Sequence, residues 1–230
     1  MSSSNKARSV FTSSNRESQE AVGVSSDISR MGEVESFSPN ELVKLKVIDG
    51  SIKSSKILNI FRELRTQLLK KNKKKNFVCM VTSTSHGGGA SYVATNLAAV
   101  FALDKAKTSM LIDANLYSPS LDQLIIGDAV SGITDYLSDS SLNIKDVVYA
   151  TGIPRLRVIP IGGNSDGIAE HFSSEKMLQF IEEIRERYSD RFVFIDAPPI
   201  IESSEARILA EVVDMVVLVV PHGMSTLEQV

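Results

Sequence analysis

The chain has 230 residues, 43% of them hydrophobic, and a formal net charge of −3, which is enough apolar material for one well-packed α/β core. A weakly acidic balance with no zinc spacing and no aromatic–basic interleaving gives no reason to expect nucleic acid as a partner. The single cysteine, Cys79, excludes a disulfide framework and cysteine metal sites, and no apolar run reaches the ~18 residues of a membrane span or forms a signal-peptide core. A cytoplasmic protein is expected.

Residues 1–50 are rich in Ser, Asn and Glu with scattered single hydrophobics, and read as a flexible polar arm ahead of a domain over 51–230. Within the arm, Asn40 to Ile48 carries Leu42, Val43, Leu45, Val47 and Ile48, either as a solvated turn or as a short docking element. Ile57, Ile60, Phe61, Leu64 and Leu68 then recur at helical spacing and predict an amphipathic helix over 55–70, with Arg62 and Arg65 one turn apart on one flank. Lys70, Lys71, Lys73, Lys74 and Lys75 follow, as a solvated connector or as a patch for anionic lipid.

The next stretch organises the chain. An apolar run from Phe77 to Val81, with Cys79 packed inside it, passes through Thr82-Ser83-Thr84-Ser85-His86 into Gly87-Gly88-Gly89 and then into the helical pattern Tyr92 to Leu103. Strand, phosphate-sized loop and helix leave unpaired N–H groups at a helix N-terminus, where the helix dipole also favours an anion. In the Walker A pattern a lysine follows the last glycine and a hydroxyl residue after it reaches magnesium; here Ala90 stands in the lysine's place and Ser91 keeps the hydroxyl.

A second strand, Ser109 to Asp113, ends in a carboxylate at the strand end where α/β sheets place ligand chemistry. Residues 120–150 read as short helices and turns, Leu156 to Ile161 as a third strand, and 173–188 as a helix with Met177, Phe180, Ile181 and Ile184 on its buried face. Phe192 to Ile195 leads into Asp196 and Ala197-Pro198-Pro199, the Walker B pattern, whose carboxylate supports magnesium and its water. A helix over 203–211 and a strand over Met215 to Val220 complete the pattern. Strands this continuously apolar predict a mostly parallel sheet with helices on both faces.

Glycine loop, Asp113 and Asp196 together make a combination more specific than any one of them. From about residue 55 onward the chain resembles the cytoplasmic domain of the bacterial tyrosine kinases of polysaccharide export, the BY-kinases, within the MinD/ParA-like group of P-loop ATPases. The resemblance rests on Phe61 to Leu68, on Val81 to Ala98 (Walker A and its helix), on Leu111 to Leu121, on Phe192 to Pro199 (Walker B) and on Val213 to Val220, with Gly132 to Leu137 and Ile159 to Gly163 at matching spacing. It implies a P-loop fold, ATP or ADP with magnesium, nucleotide contacts from Gly87, Gly88, Gly89, Ala90, Ser91 and Tyr92, metal contacts from Ser91, Asp113 and Asp196, and a catalytic remnant in Asp113 and Asp196. It also implies homo-oligomerisation through Arg62 and Arg65, although Asn59 replaces the glutamate of that motif.

The departures fall on reactive positions. The family has lysine where this chain has Ala90, an aspartate acting as base where it has Asn115, usually arginine where it has Tyr117, and a small hydroxyl residue where it has Tyr92. His86 lies in the same loop, but a histidine is a poor substitute for the lysine. Family members also continue to a tyrosine-rich tail that is autophosphorylated, which this chain, ending at Val230, is expected to lack. The reading is therefore a degenerate, non-catalytic kinase homologue: a cytoplasmic regulator, held at the inner membrane by a separate Wzz-like polysaccharide co-polymerase, in exopolysaccharide or capsule synthesis and export. Two alternatives are an active autokinase or ATPase with a rearranged site, and a MinD/ParA-like positioning ATPase that uses the Lys70 to Lys75 run.

Overall fold

A computed structural model describes residues 35–48, 50, 55–73, 75–163, 168–187, 191–226 and 228, which belong to one compact unit, Glu33–Val230. Residues 1–34 of the arm expected over 1–50, Lys74 and the helix end at Tyr188 lie outside the described residues.

In chain order the elements are α1 (Pro39–Lys44), α2 (Lys56–Lys71), β1 (Val78–Ser83), α3 (Ala90–Ala102), β2 (Thr108–Asp113), α4 (Ile133–Ser138), β3 (Tyr149–Ala150), β4 (Leu156–Ile159), α5 (Ile168–Phe172), α6 (Glu175–Arg187), β5 (Arg191–Asp196), α7 (Ser204–Val212) and β6 (Met215–Val219). The six strands form one sheet in the order β3-β4-β2-β5-β1-β6. All pairs are parallel except the antiparallel β3–β4 pair. The expected parallel sheet is present, and its central strands β1, β2 and β5 are buried along their whole length, as their continuous apolar runs require. β3 escapes sequence reading because two residues carry no period, and α5 because it is a single short turn of helix.

Each face of the sheet carries its own core. On one side Leu58, Phe61 and Leu68 of α2 and Leu97, Val100 and Phe101 of α3 pack on Val81, Leu111 and Phe194. Phe101 sits among the rings of Phe77, Phe192 and Phe194, with centroids 5.6, 4.7 and 5.1 Å away. On the other side Tyr136, Phe180, Ile184 and Leu209 cover Met80, Met110 and Ile195. Cys79 is fully buried, and burial pushes its thiol up to about 12, so it packs and does not react.

Residues 35–48 correct the expectation that the arm runs to residue 50. Ser38 caps α1 through a reciprocal pair with Glu41, Pro39 opens the helix, and Val47 is buried against the α2–α3 side of the core. The anchor is Asn96 of α3, which is 0% exposed. Its Oδ1 accepts the Ile48 N–H at 2.7 Å, and its Nδ2 donates to the carbonyls of Lys46 at 3.0 Å and Tyr92 at 2.9 Å. Composition alone misses this because one buried amide and a few apolar contacts, rather than local propensity, hold the segment. Asn96→Ala orphans the Ile48 N–H and the Lys46 carbonyl and is expected to cost about 1–3 kcal/mol. Urea denaturation reads the loss, together with faster proteolytic cutting within 35–48; unchanged stability and cutting would show that the amide is not the anchor.

Candidate functional site

The glycine loop lies between the C-terminal end of β1 and the N-terminus of α3. Gly89 takes a left-handed φ of 90° at the helix cap with no side chain to satisfy the first turn. A Cβ at Gly88 would come within 2.7 Å of Ser83 Cβ and 2.9 Å of the Ser85 carbonyl, so the loop closes only around glycine there. α3 therefore starts at Ala90, two residues before the apolar pattern, and presents first-turn N–H groups that have no intrahelical partner. Ala90 is buried, with 7% exposure, and its methyl belongs to the α2–α3 core. Tyr92 turns its ring edge-on to Phe61 of α2, 6.0 Å between centroids.

Strand register brings the two aspartates together. Asp113 and Asp196 are paired positions on the adjacent parallel strands β2 and β5, about 4.8 Å apart in backbone spacing, and Asp196 is also level with Val81 of β1 just before the loop. Both are 0% exposed, and their surroundings differ. Asp113 accepts N–H bonds from Asn115 at 3.0 Å, Ser120 at 3.0 Å and Leu121 at 3.2 Å. Burial pushes its pKa up to about 6 against the pull of those three donors, and the charge of Asp122 adds slightly to the rise. Asp196 has no hydrogen-bond partner on either carboxylate oxygen. Burial pushes it up to about 7; the Ser91 hydroxyl nearby opposes the rise without reaching hydrogen-bond geometry, and the charge of Asp113 reinforces it.

Two further buried oxygens past the same ends of the parallel strands are without partners, Asn115 Oδ1 after β2 and Ser85 Oγ after β1. Buried polar atoms are nearly always satisfied, so these orphans at one end of the sheet mark a place that accepts a ligand. A carboxylate with both oxygens unpaired, a second carboxylate beside it and a serine hydroxyl suit a small hard cation that keeps waters and takes further ligands from a phosphate. The residues present fit magnesium with a nucleotide polyphosphate: Ser91, Asp113 and Asp196 for the metal, and the loop amides for the phosphates.

Gly87, Gly88, Gly89, Ala90, Ser91, Tyr92, Asp113 and Asp196 thus converge at one end of the sheet. Arg62 and Arg65 stand apart from them on α2. Arg62 is exposed, whereas Arg65 is held inside the chain by Asp104 at 2.9 Å and lies over the Phe101 ring at 5.4 Å. His86 Nε2 is 3.0 Å from Glu202 Oε2, so a protonated imidazole there is already partnered. Tyr117 is exposed and meets His86 edge-on at 6.0 Å. Reading the sequence missed the Ser120 and Leu121 N–H groups that hold Asp113, since a backbone donor leaves no trace in residue identity.

No protein-family model matches the chain. It is 29% identical over 187 residues to the tyrosine-protein kinase CpsD of Streptococcus agalactiae, covering 79% of this chain and 78% of that one. It is 35% identical over 150 residues to the tyrosine-protein kinase YwqD of Bacillus subtilis, covering 65% of this chain and 62% of that one. Among solved structures, the kinase domain of the Escherichia coli tyrosine kinase ETK aligns with a TM-score of 0.72 at 23% identity, over 87% of this chain and 74% of that one. The cell division ATPase MinD of Pyrococcus furiosus aligns at 0.52 and 20% identity, over 62% and 58%. At those identities the structural likenesses speak to the fold.

Proposed function

We propose that this chain, a homologue of the bacterial tyrosine kinases and so of the BY-kinase family, is a regulator of exopolysaccharide or capsule production that holds a magnesium nucleotide and transfers its phosphate poorly or not at all. The observation that carries the reading is the contrast within one site. Asp196 keeps both buried oxygens free beside Ser91 and in register with Asp113, while the position of the loop's lysine is a buried methyl, Ala90, and that of the family's base is an amide, Asn115.

Magnesium, when bound, draws charge from the phosphates. The remaining work falls to this chain's own groups. The first-turn amides of α3 orient an anion, the wall formed by β1, β2 and β5 keeps water from the two carboxylates, and Asp196 exchanges a proton for the cation. Asn115 has no basic lone pair with which to take a proton from an attacking hydroxyl, so the acceptor step lacks its base. Removing one transition-state charge contact costs on the order of 3 kcal/mol, and the loss at position 90 comes on top of that at 115.

The regulatory partner in this reading is a separate membrane-embedded, Wzz-like co-polymerase, which would place the chain at the inner membrane. Support is the similarity to tyrosine-protein kinases such as CpsD. The deciding experiment is calorimetric titration with magnesium-ADP and magnesium-ATP, run beside a phosphate-release assay. Saturable binding with negligible turnover is expected. Steady turnover that disappears in Asp196→Ala would defeat the non-catalytic reading, and absence of binding to both nucleotides would defeat the nucleotide reading. Deletion of the gene is expected to change the amount or length of the surface polymer; unaltered polymer would remove the regulatory role.

A further inference from the structure

The segment ahead of α2 brings a lysine to a cavity beside the first turn of α3. Lys46 lies one residue past the cap of α1 in a left-handed conformation, φ 56°, with its N–H on the Val43 carbonyl at 3.1 Å and the Val47 N–H on the Leu42 carbonyl at 2.8 Å. That is the helix-ending turn whose left-handed position usually holds glycine, and a lysine there costs on the order of 1 kcal/mol. Lys73 holds the same place after α2, so the conformation alone decides nothing; what sets Lys46 apart is what it lines. Asn96 fixes the backbone on both sides of the buried Val47, so the lysine is delivered to a defined spot.

That spot is the wall of a cavity of about 140 Å³, which Lys46 shares with Ser91, Tyr92, Thr95, Ser120 and Gln123. Ser91 and Tyr92 form the first turn of α3, with its unpaired N–H groups, and Ser120 follows the strand that ends in Asp113. No carboxylate lines the cavity, and among the described residues Lys46 has no ion-pair partner. A hollow lined by an exposed lysine and by the first turn of a helix favours an anion. An independent observation lies next to the cavity: Asp196, which does not line it but is fully buried beside Ser91, which does, has neither oxygen paired and suits a cation, so an anion in the cavity would arrive with a metal.

We infer that Lys46 supplies, from the preceding segment, the positive charge that Ala90 removes from the loop, and that the cavity it lines with Ser91 and Tyr92 receives part of the polyphosphate of a magnesium nucleotide. This rests on the nucleotide-binding reading above. The exchange is chemically sound because a lysine ammonium is a compact point charge on a flexible four-carbon stem and carries no fixed geometry that ties it to one backbone position. It restores binding charge without restoring a base, so it leaves the chain a nucleotide holder.

Calorimetric titration of magnesium-ADP into six chains tests the assignment: the natural protein, Lys46→Gln, Lys46→Gly, Lys44→Gln, Ala90→Lys and the double variant Lys46→Gln with Ala90→Lys. Loss of a charge-assisted contact weakens affinity by about 10- to 100-fold, so that drop is expected for both Lys46 variants. Lys44→Gln, altering an exposed neighbour, should stay within about twofold, and the double variant should recover the natural affinity. Lys46→Gly suits the left-handed turn better than lysine does, so its thermal midpoint should match or exceed the natural one and separate lost charge from lost folding. Natural affinity in Lys46→Gly would overturn the assignment while leaving the nucleotide reading standing. No binding by the natural chain, with binding gained in Ala90→Lys, would remove the nucleotide reading and this assignment with it.

Discussion

Ala90→Lys combined with Asn115→Asp is expected to raise ATP turnover and tyrosine phosphorylation by about a thousandfold or more over the natural chain. A positioned base contributes roughly 10²–10⁴-fold and a transition-state charge contact roughly 10²–10³-fold, and the two act on one event, so their product is an upper bound. Each single variant is expected to gain far less. The new lysine replaces a buried methyl of the α2–α3 core, so its stem must pack along that apolar wall for its head to reach the loop. The new aspartate carries a cost, because it places a third carboxylate beside Asp113 and Asp196, both already buried. The double variant should therefore be less stable than the natural chain without ligand and regain stability with magnesium-ATP. Phosphate release and phosphotyrosine formed on a Glu–Tyr copolymer are the readouts. A double variant that binds nucleotide tightly and still turns over no faster would show that these two positions are not what silences the chain.

The second large effect concerns stability. Asp196 is pushed up to about 7 and Asp113 to about 6 from the ordinary 3.8, chiefly by burial. A carboxyl whose pKa is higher in the folded state binds more protons there than in the unfolded chain, so its contribution is fully present below about pH 4 and is lost as pH rises to about 7. A tenfold change in acidity corresponds to 1.36 kcal/mol, which sets the cost of ionising Asp196 inside the fold on the order of 4 kcal/mol; the two neighbours titrate together, so their costs do not simply add. Asp196→Asn removes the charge at nearly constant shape. It is expected to exceed the natural chain by about 2–4 kcal/mol at pH 8 and to equal it near pH 4, by urea denaturation at both. Magnesium-ADP should stabilise the natural chain at pH 8 and do little for the variant. Natural stability that is flat from pH 4 to 8, or a variant advantage that is the same at both, would mean that Asp196 is not carrying a buried proton equilibrium.

Part of this protein was legible without coordinates because its causes are local. Three consecutive glycines after an apolar run imply a backbone that bends where a Cβ cannot go, and Gly88 and Gly89 do so. Apolar runs that end in Asp113 and Asp196 imply buried parallel strands with carboxylates at their ends, and β2 and β5 are those strands. The lysine missing at Ala90 and the base missing at Asn115 are read from identity alone.

What only tertiary structure decided are the pairings between residues far apart in the chain. Register across β2 and β5 sets Asp113 beside Asp196, while burial and the loop donors, which one carboxylate has and the other lacks, set their proton affinities. Arg65, one turn from Arg62 in the sequence, is held by Asp104 across the packed helices. Residues 35–48 look like arm by composition, yet one buried amide, Asn96, binds them to α3 and brings Lys46 to the cavity beside Ser91. Period and composition describe what a segment prefers by itself; hydrogen bonds, desolvation and charge depend on which distant segment folding brings alongside it.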